Sequence, residues 1–141
     1  MFTIIIVDDF FVERENVKDI IERSGLELHV MGEFSNGVEA LEFLKSNQPD
    51  FVLADVEMPF MGGIELARNI KENFPDIRTV FFSFHDKFEY VKKALNYDVF
   101  DYILKPVIED EMITALEKLI KKKNEEQNRK SQDEEAKKLL E

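Results

Sequence analysis

Three aspartates, a serine and a lysine each stand at the end of an apolar run. Asp8 and Asp9 close "TIIIVDD", Asp55 follows "FVLA" in "FVLADVEMP", Ser83 ends "TVFFS", and Lys105 follows "DYIL" in "DYILKP". Short apolar runs bounded by turn signals read as buried strands, so these polar side chains sit at strand mouths. If the strands lie parallel in one sheet, all of them meet at its carboxyl edge, where open α/β sheets collect reactive groups.

Three carboxylates brought close destabilise one another unless a cation sits among them. The chain has no cysteine and two histidines. Hard oxygen donors of this kind suit Mg²⁺, which takes one or two carboxylates, keeps waters and accepts phosphate oxygens. Asp8, Asp9 and Asp55 are the candidate ligands. A carboxylate beside such a cation and an ammonium can accept a phosphoryl group, because that transfer needs mainly positioning and neutralised charge. Asp55 is the candidate nucleophile, since strand order sets it between the acidic pair and Ser83, with Lys105 as the ammonium. Taken singly, each signal is ordinary: an aspartate pair after a strand commonly caps a helix, a serine there does the same, and Lys-Pro is a frequent loop. The combination at successive core-strand ends is far more specific.

The elements that must position these groups are legible as a strict alternation. Strands are expected at residues 3–7, 28–34, 51–54, 79–83 and 101–104. The first, third and fourth are continuously apolar, as in a parallel sheet covered on both faces. Between them the helical period appears: Val17, Ile20 and Ile21; Val38, Leu41, Phe43 and Leu44; Ile64, Leu66, Ala67 and Ile70; Val91 and Leu95; and finally Met112, Ile113, Leu116, Leu119 and Ile120. "SNG", "NQPD", "MPFMGG" and "NFPD" mark the turns. Such alternation predicts an α/β fold, a (βα)5 doubly wound five-stranded parallel sheet with right-handed crossovers.

At 141 residues and 44% hydrophobic content, one domain with a full core is expected. The net charge is −11; the residues from Lys121 onward hold seven basic and six acidic side chains, so Met1 to Ile120 carries −12. That surface repels nucleic acid and suits a divalent cation or basic partners. No apolar run reaches the length of about 18 residues that a membrane span needs. The start, "MFTIIIVDD", has no signal-peptide pattern, so the expected location is cytoplasmic, with no membrane partner. Residues 122–136 hold no large apolar side chain. We therefore divide the chain into a domain over 1–121 and a polar, charged extension or linker over 122–141, helical or disordered.

Through "IIIVDD", "FVLADVEMPFMGG", "VFFS" and "DYILKP", residues 2–121 resemble the receiver domain of two-component response regulators. The resemblance implies a flavodoxin-like, CheY-like sheet with strand order 2-1-3-4-5. It implies that Asp55 accepts a phosphoryl group from a phosphohistidine on a sensor histidine kinase. Asp9 would bind Mg²⁺ directly and Asp8 partly through water, with the backbone carbonyl of Glu57 as a further ligand. Lys105 would bridge to the phosphoryl oxygens, with Lys105–Pro106 in the cis form. Ser83 would be the switch hydroxyl and Tyr102 the aromatic whose rotamer follows it. The face of the fourth helix, fifth strand and fifth helix would carry the readout, often as a homodimer surface.

Two positions depart from the family pattern. Phe84 follows Ser83 where a small residue is usual, and Phe10 follows the acidic pair where many relatives have a third acid. His29 and His85 carry little weight as lone histidines, though His85 lies where the family tunes the lifetime of its aspartyl phosphate. The stretch "DKFEYVKKALNYDVFDYILKPV" also resembles receivers that continue through a helical linker into an AraC-type DNA-binding domain, so DNA would be met only through a domain outside this chain. The alternatives are a stand-alone receiver, a pseudo-receiver that only binds a partner, and an aspartate-nucleophile Mg²⁺ phosphatase of the haloacid dehalogenase type. Against the last, the first strand reads "VDDFF" instead of "DxDx[TV]" and no cap is inserted. On the receiver reading the chain assists only its own phosphorylation and dephosphorylation, and is not an enzyme.

Overall fold

The computed structural model describes residues 1–85 and 87–140. Five strands alternate with five helices: β1 (Phe2–Val7), α1 (Phe11–Ser24), β2 (Leu28–Phe34), α2 (Gly37–Leu44), β3 (Phe51–Ala54), α3 (Gly63–Asn73), β4 (Arg78–Ser83), α4 (Phe88–Asn96), β5 (Asp101–Leu104) and α5 (Glu109–Leu140). All pairings are parallel and the sheet order is β2-β1-β3-β4-β5. The expected doubly wound sheet and its order are therefore observed.

Strand alternation divides the core into two layers. Ile4 and Ile6 point to one face with Phe51, Leu53, Val80 and Phe82, and are covered by α1 and α5 through Val17, Ile20, Met112 and Leu116. Ile5 and Val7 point to the other with Val52, Ala54 and Phe81, beneath Ala40, Leu66, Ile70 and Ala94 of α2, α3 and α4. Ile4 to Val7 are each 0% exposed. Burying one such side chain contributes roughly 1.5–3 kcal/mol.

The helices start and stop for local reasons. Asn36 caps α2, its side chain accepting the Glu39 N–H at 3.0 Å, while Glu39 reaches back to Ser35. Gly25 ends α1 at φ 74°, a left-handed conformation that glycine adopts at least cost. α4 departs from the expected packing: Val91 and Leu95 are 38% and 72% exposed, and Ala94 is its buried residue. The cause is rotation by one position, since Tyr90 and Tyr97 flank Ala94 against the core and turn Val91 and Leu95 outward with Phe88.

α5 runs unbroken past Lys121. Beyond the apolar seam, Lys123 donates to the Asp76 carbonyl at 2.5 Å and Glu126 pairs with Arg78 at 2.5 Å, so charged contacts continue the docking where apolar ones stop. Among the described residues no helix is long and apolar enough to cross a membrane.

Candidate functional site

Register delivers the acids to one place. Val7 of β1 pairs with Ala54 of β3, and the Asp55 N–H donates to the Val7 carbonyl at 2.9 Å, so Asp8, Asp9 and Asp55 leave neighbouring strands at one level. Each of the three offers a carboxylate oxygen, and these oxygens lie within 4.8 Å of one another. α3 closes in from below: a Cβ on Gly63 would stand 2.2 Å from the Asp55 carbonyl oxygen, an approach that only glycine permits.

The cation comes from the far side of the sheet. Ser83 of β4 pairs with Leu104 of β5, and the Lys105 N–H donates to the Ser83 carbonyl at 2.9 Å. From there the Lys105 ammonium reaches Asp8 Oδ2 and, at 3.3 Å, Asp55 Oδ2, with its side chain fully buried. Lys105–Pro106 is cis. Two rings flank the ammonium, Phe82 at 4.5 Å and Phe84 at 5.3 Å from their centroids.

Asp8 is committed to the protein at each polar group. Its N–H donates to the Phe34 carbonyl at 2.9 Å, its carbonyl accepts from Arg14 at 2.6 Å, and its carboxylate accepts from the Phe10 N–H at 2.9 Å as well as from Lys105. Asp9 is the opposite case, since its Oδ1 is buried with no hydrogen-bond partner among the described residues. Burial pushes both the Asp9 and Asp55 carboxyls above the usual carboxylate range, and the charge of Asp8 adds to this, while Lys105 works against it in each. An unpartnered buried oxygen among crowded carboxylates that burial makes harder to ionise is what a hard divalent cation relieves, and the all-oxygen donor set fits Mg²⁺.

Ser83 is fully buried; its Oγ accepts the His85 N–H at 3.1 Å and its hydroxyl faces Asp55, favouring the ionised carboxylate. Tyr102 stands edge-on to Phe81 at 6.0 Å, and its hydroxyl donates to the His85 carbonyl. Glu57 lies two residues past Asp55 with its side chain half open to solvent. That side chain pairs with His85 Nε2 at 2.8 Å and accepts from the Tyr90 hydroxyl, which raises the Tyr90 phenol to about 12. His29 is exposed on β2. Phe10 and Phe84, 58% and 57% exposed, form part of the rim.

Reading the chain alone missed Arg14, Tyr90 and the Glu57–His85 link. Arg14 had a usable signal: a long cation in the first turn after a strand-ending acid lies back over that strand end, because helical side chains lean toward the helix start. Tyr90 and Glu57 had none, since their meeting depends on how α4 settles.

A doubly wound parallel sheet with an acidic triad and a buried lysine at its carboxyl edge defines a class of α/β protein whose oxygen donors at that edge fit a divalent cation. A family model described as the response regulator receiver domain matches residues 4–117, and the chain belongs to that family. It is 36% identical over 120 residues to an uncharacterized transcriptional regulatory protein, YesN, of Bacillus subtilis, covering 85% of this chain and 33% of YesN. It is 33% identical over 128 residues to the transcriptional regulatory protein HptR of Staphylococcus aureus, covering 91% of this chain and 50% of HptR. Among solved structures, the response regulatory domain of the protein mrkE from Klebsiella pneumoniae superposes with a TM-score of 0.81 at 30% identity, over 87% of this chain and 98% of that one. The chain thus spans a third to a half of the length of the curated relatives it matches. It is a receiver, the signalling switch of a two-component response regulator.

Proposed function

We propose that Asp55 is the phosphoacceptor of this receiver, and that the donor is a phosphohistidine on a sensor histidine kinase. A carboxylate oxygen of Asp55 forms the new P–O bond, the P–N bond of the donor breaks, and the imidazole leaves with the electron pair. The observation that carries this reading is the position of Lys105, shared between Asp8 and Asp55, next to the unpartnered oxygen of Asp9. Asp9, Asp55, Asp8 through water and the Glu57 carbonyl would hold Mg²⁺, whose chemistry when bound is to neutralise charge on the phosphoryl oxygens. Lys105 contributes a second positive charge from within the protein, and burial keeps competing water away. Phe10, Phe11 and Phe60, 58%, 62% and 89% exposed around the rim, support a protein as donor, since they offer apolar surface beyond the reacting group.

The aspartyl phosphate would draw Ser83 toward it, and Tyr102, tied to the same loop through His85, would follow. A new dianion that gains several charge-assisted hydrogen bonds can bias a two-state loop by a few kcal/mol. The readout face would be α4, β5 and α5, where Phe88, Leu95, Leu104 and, just before α5, Ile108 are 79%, 72%, 47% and 55% exposed and suit a homodimer. We take residues 1–121 as the receiver and 122–141 as a helical linker toward an output domain outside this chain. Regulation of transcription is inferred from the likeness to the transcriptional regulatory proteins YesN and HptR. Turnover of a separate substrate is not part of this reading.

The test is intact mass after incubation with a small acyl phosphate, with and without Mg²⁺, for the native chain and Asp55→Ala. One phosphoryl gain that needs Mg²⁺ and is absent in the variant is expected. A folded native chain that gains nothing overturns the reading in favour of a pseudo-receiver.

A further inference from the structure

The acidic cluster touches a second cation that the chemistry above does not use. Arg14 stands in the first turn of α1 with its side chain 15% exposed. Its Nη1 donates to the Asp8 carbonyl at 2.6 Å, and its Nε lies 3.4 Å from Glu33 Oε1 of β2, an ion pair without a closed hydrogen bond. The ring of Phe11 covers the guanidinium at 5.7 Å. Lys18, 3.3 Å from Glu33, completes the charge on the far side.

The Asp8 carbonyl belongs to the peptide plane that joins the two aspartates. Because that plane is rigid, gripping its oxygen also fixes the Asp9 nitrogen and Cα, the point from which the Asp9 side chain leaves the backbone. Asp9 needs this help more than Asp8. It lies between β1 and α1, outside either ladder, and its Oδ1 has no hydrogen-bond partner among the described residues. A rotation of that one peptide would carry the Asp9 carboxylate away from the oxygens of Asp8 and Asp55.

We propose that Arg14, held by Glu33, is a positioning residue that presets the Asp8–Asp9 peptide for divalent-cation binding. The inference rests on the reading of the cluster as a Mg²⁺ site. It assigns to α1 and β2 a share in cation affinity, although neither supplies a ligand. Groups one step removed from a metal typically change affinity by 10- to 100-fold when lost.

The experiment is isothermal titration of Mg²⁺ into the full chain, paired with thermal melts in chelator. The variants are Arg14→Met, Arg14→Lys, Glu33→Gln, Asp9→Asn and, as a control, Arg23→Met, which removes an exposed pair with Glu109. Arg14→Met keeps the stem packing and removes the donors, so Mg²⁺ binding weakens about tenfold. Arg14→Lys, with a charge and one compact donor group, recovers part of the loss. Glu33→Gln weakens binding less than Arg14→Met, and Arg23→Met leaves it unchanged. A purely structural role would lower the metal-free melting temperature of Arg14→Met without moving the Mg²⁺ dissociation constant, and that outcome overturns the inference. If Arg14→Met does not fold, unchanged Mg²⁺ affinity in both Arg14→Lys and Glu33→Gln overturns it equally. A native chain that shows no saturable Mg²⁺ binding brings down the cation reading itself, and the inference with it.

Discussion

Lys105 Nζ stands 3.3 Å from Asp55 Oδ2, and the two side chains are 0% and 8% exposed. The same ammonium also serves Asp8, so one buried cation holds two buried anions in place. Removing one member of such a group leaves charge buried without compensation, which is the costly way to break it.

Lys105→Met therefore costs about 3 kcal/mol in urea unfolding with chelator present. Mg²⁺ returns part of that, because a cation among the same oxygens replaces the missing charge. A Lys105→Met chain as stable as the native one in chelator would mean that the carboxylates stay protonated or hydrated there.

Asp9 gives the reverse sign. Burial lifts its pKa above the ordinary 3.8 in the folded chain, so the stability it contributes is full below that value and is lost as pH rises through its higher folded-state value. At neutral pH in chelator, the ionised Asp9 is a liability, and Asp9→Asn raises the melting temperature. Scanned downward in pH, the advantage of the variant disappears as the native carboxyl protonates. In Mg²⁺ the order inverts, since the variant has lost a ligand. Melts across pH with chelator and with Mg²⁺ check all three statements.

How much of this was readable from the chain depends on which forces decide each feature. β1 announced itself because Ile4 to Val7 are apolar on both faces, and only a central strand of a covered sheet needs that. The acids, Ser83 and Lys105 were found because strand ends are fixed by the same apolar runs. Parallel register then leaves little freedom about where they meet. α4 was harder, since at the sheet edge Ala94 and two tyrosines compete with Val91 and Leu95 for the inside, and the outcome turns on a rotation of one residue. Arg14 was readable by position but not by partner: the Asp8 carbonyl and Glu33 are a backbone atom and a residue of another strand, and neither leaves a periodic trace.

The charged stretch of α5 carries more of the fold than its composition suggests. Lys123 is 8% exposed and Glu126 meets Arg78 with two oxygens, at 2.5 and 3.4 Å. Hydrogen bonds to charged groups contribute about 1.5–3 kcal/mol, less where solvent reaches them. A chain ending at Lys121 is expected to lose about 2 kcal/mol against the native chain, whereas one ending at Lys130 keeps its stability. Equal unfolding midpoints for all three would show that these contacts add nothing and that the folded unit stops with the apolar seam.

Phe84 is the departure with the clearest consequence for chemistry. Its ring sits 5.3 Å from the Lys105 ammonium and is still 57% exposed, so it forms a wall between that charge and solvent at the mouth of the pocket. A cation over a ring at such a partly open site is worth about 0.5–1 kcal/mol, so Phe84→Ala lowers stability only slightly. Its larger effect is on access. With the wall removed, a small acyl phosphate reaches Asp55 with less obstruction, and labelling becomes faster while remaining dependent on Asp55 and on Mg²⁺. Stopped time courses by intact mass, native against Phe84→Ala, measure this directly. Slower labelling in the variant would reverse the assignment, making the ring a support that keeps Lys105 aimed at the acceptor instead of a screen in front of it.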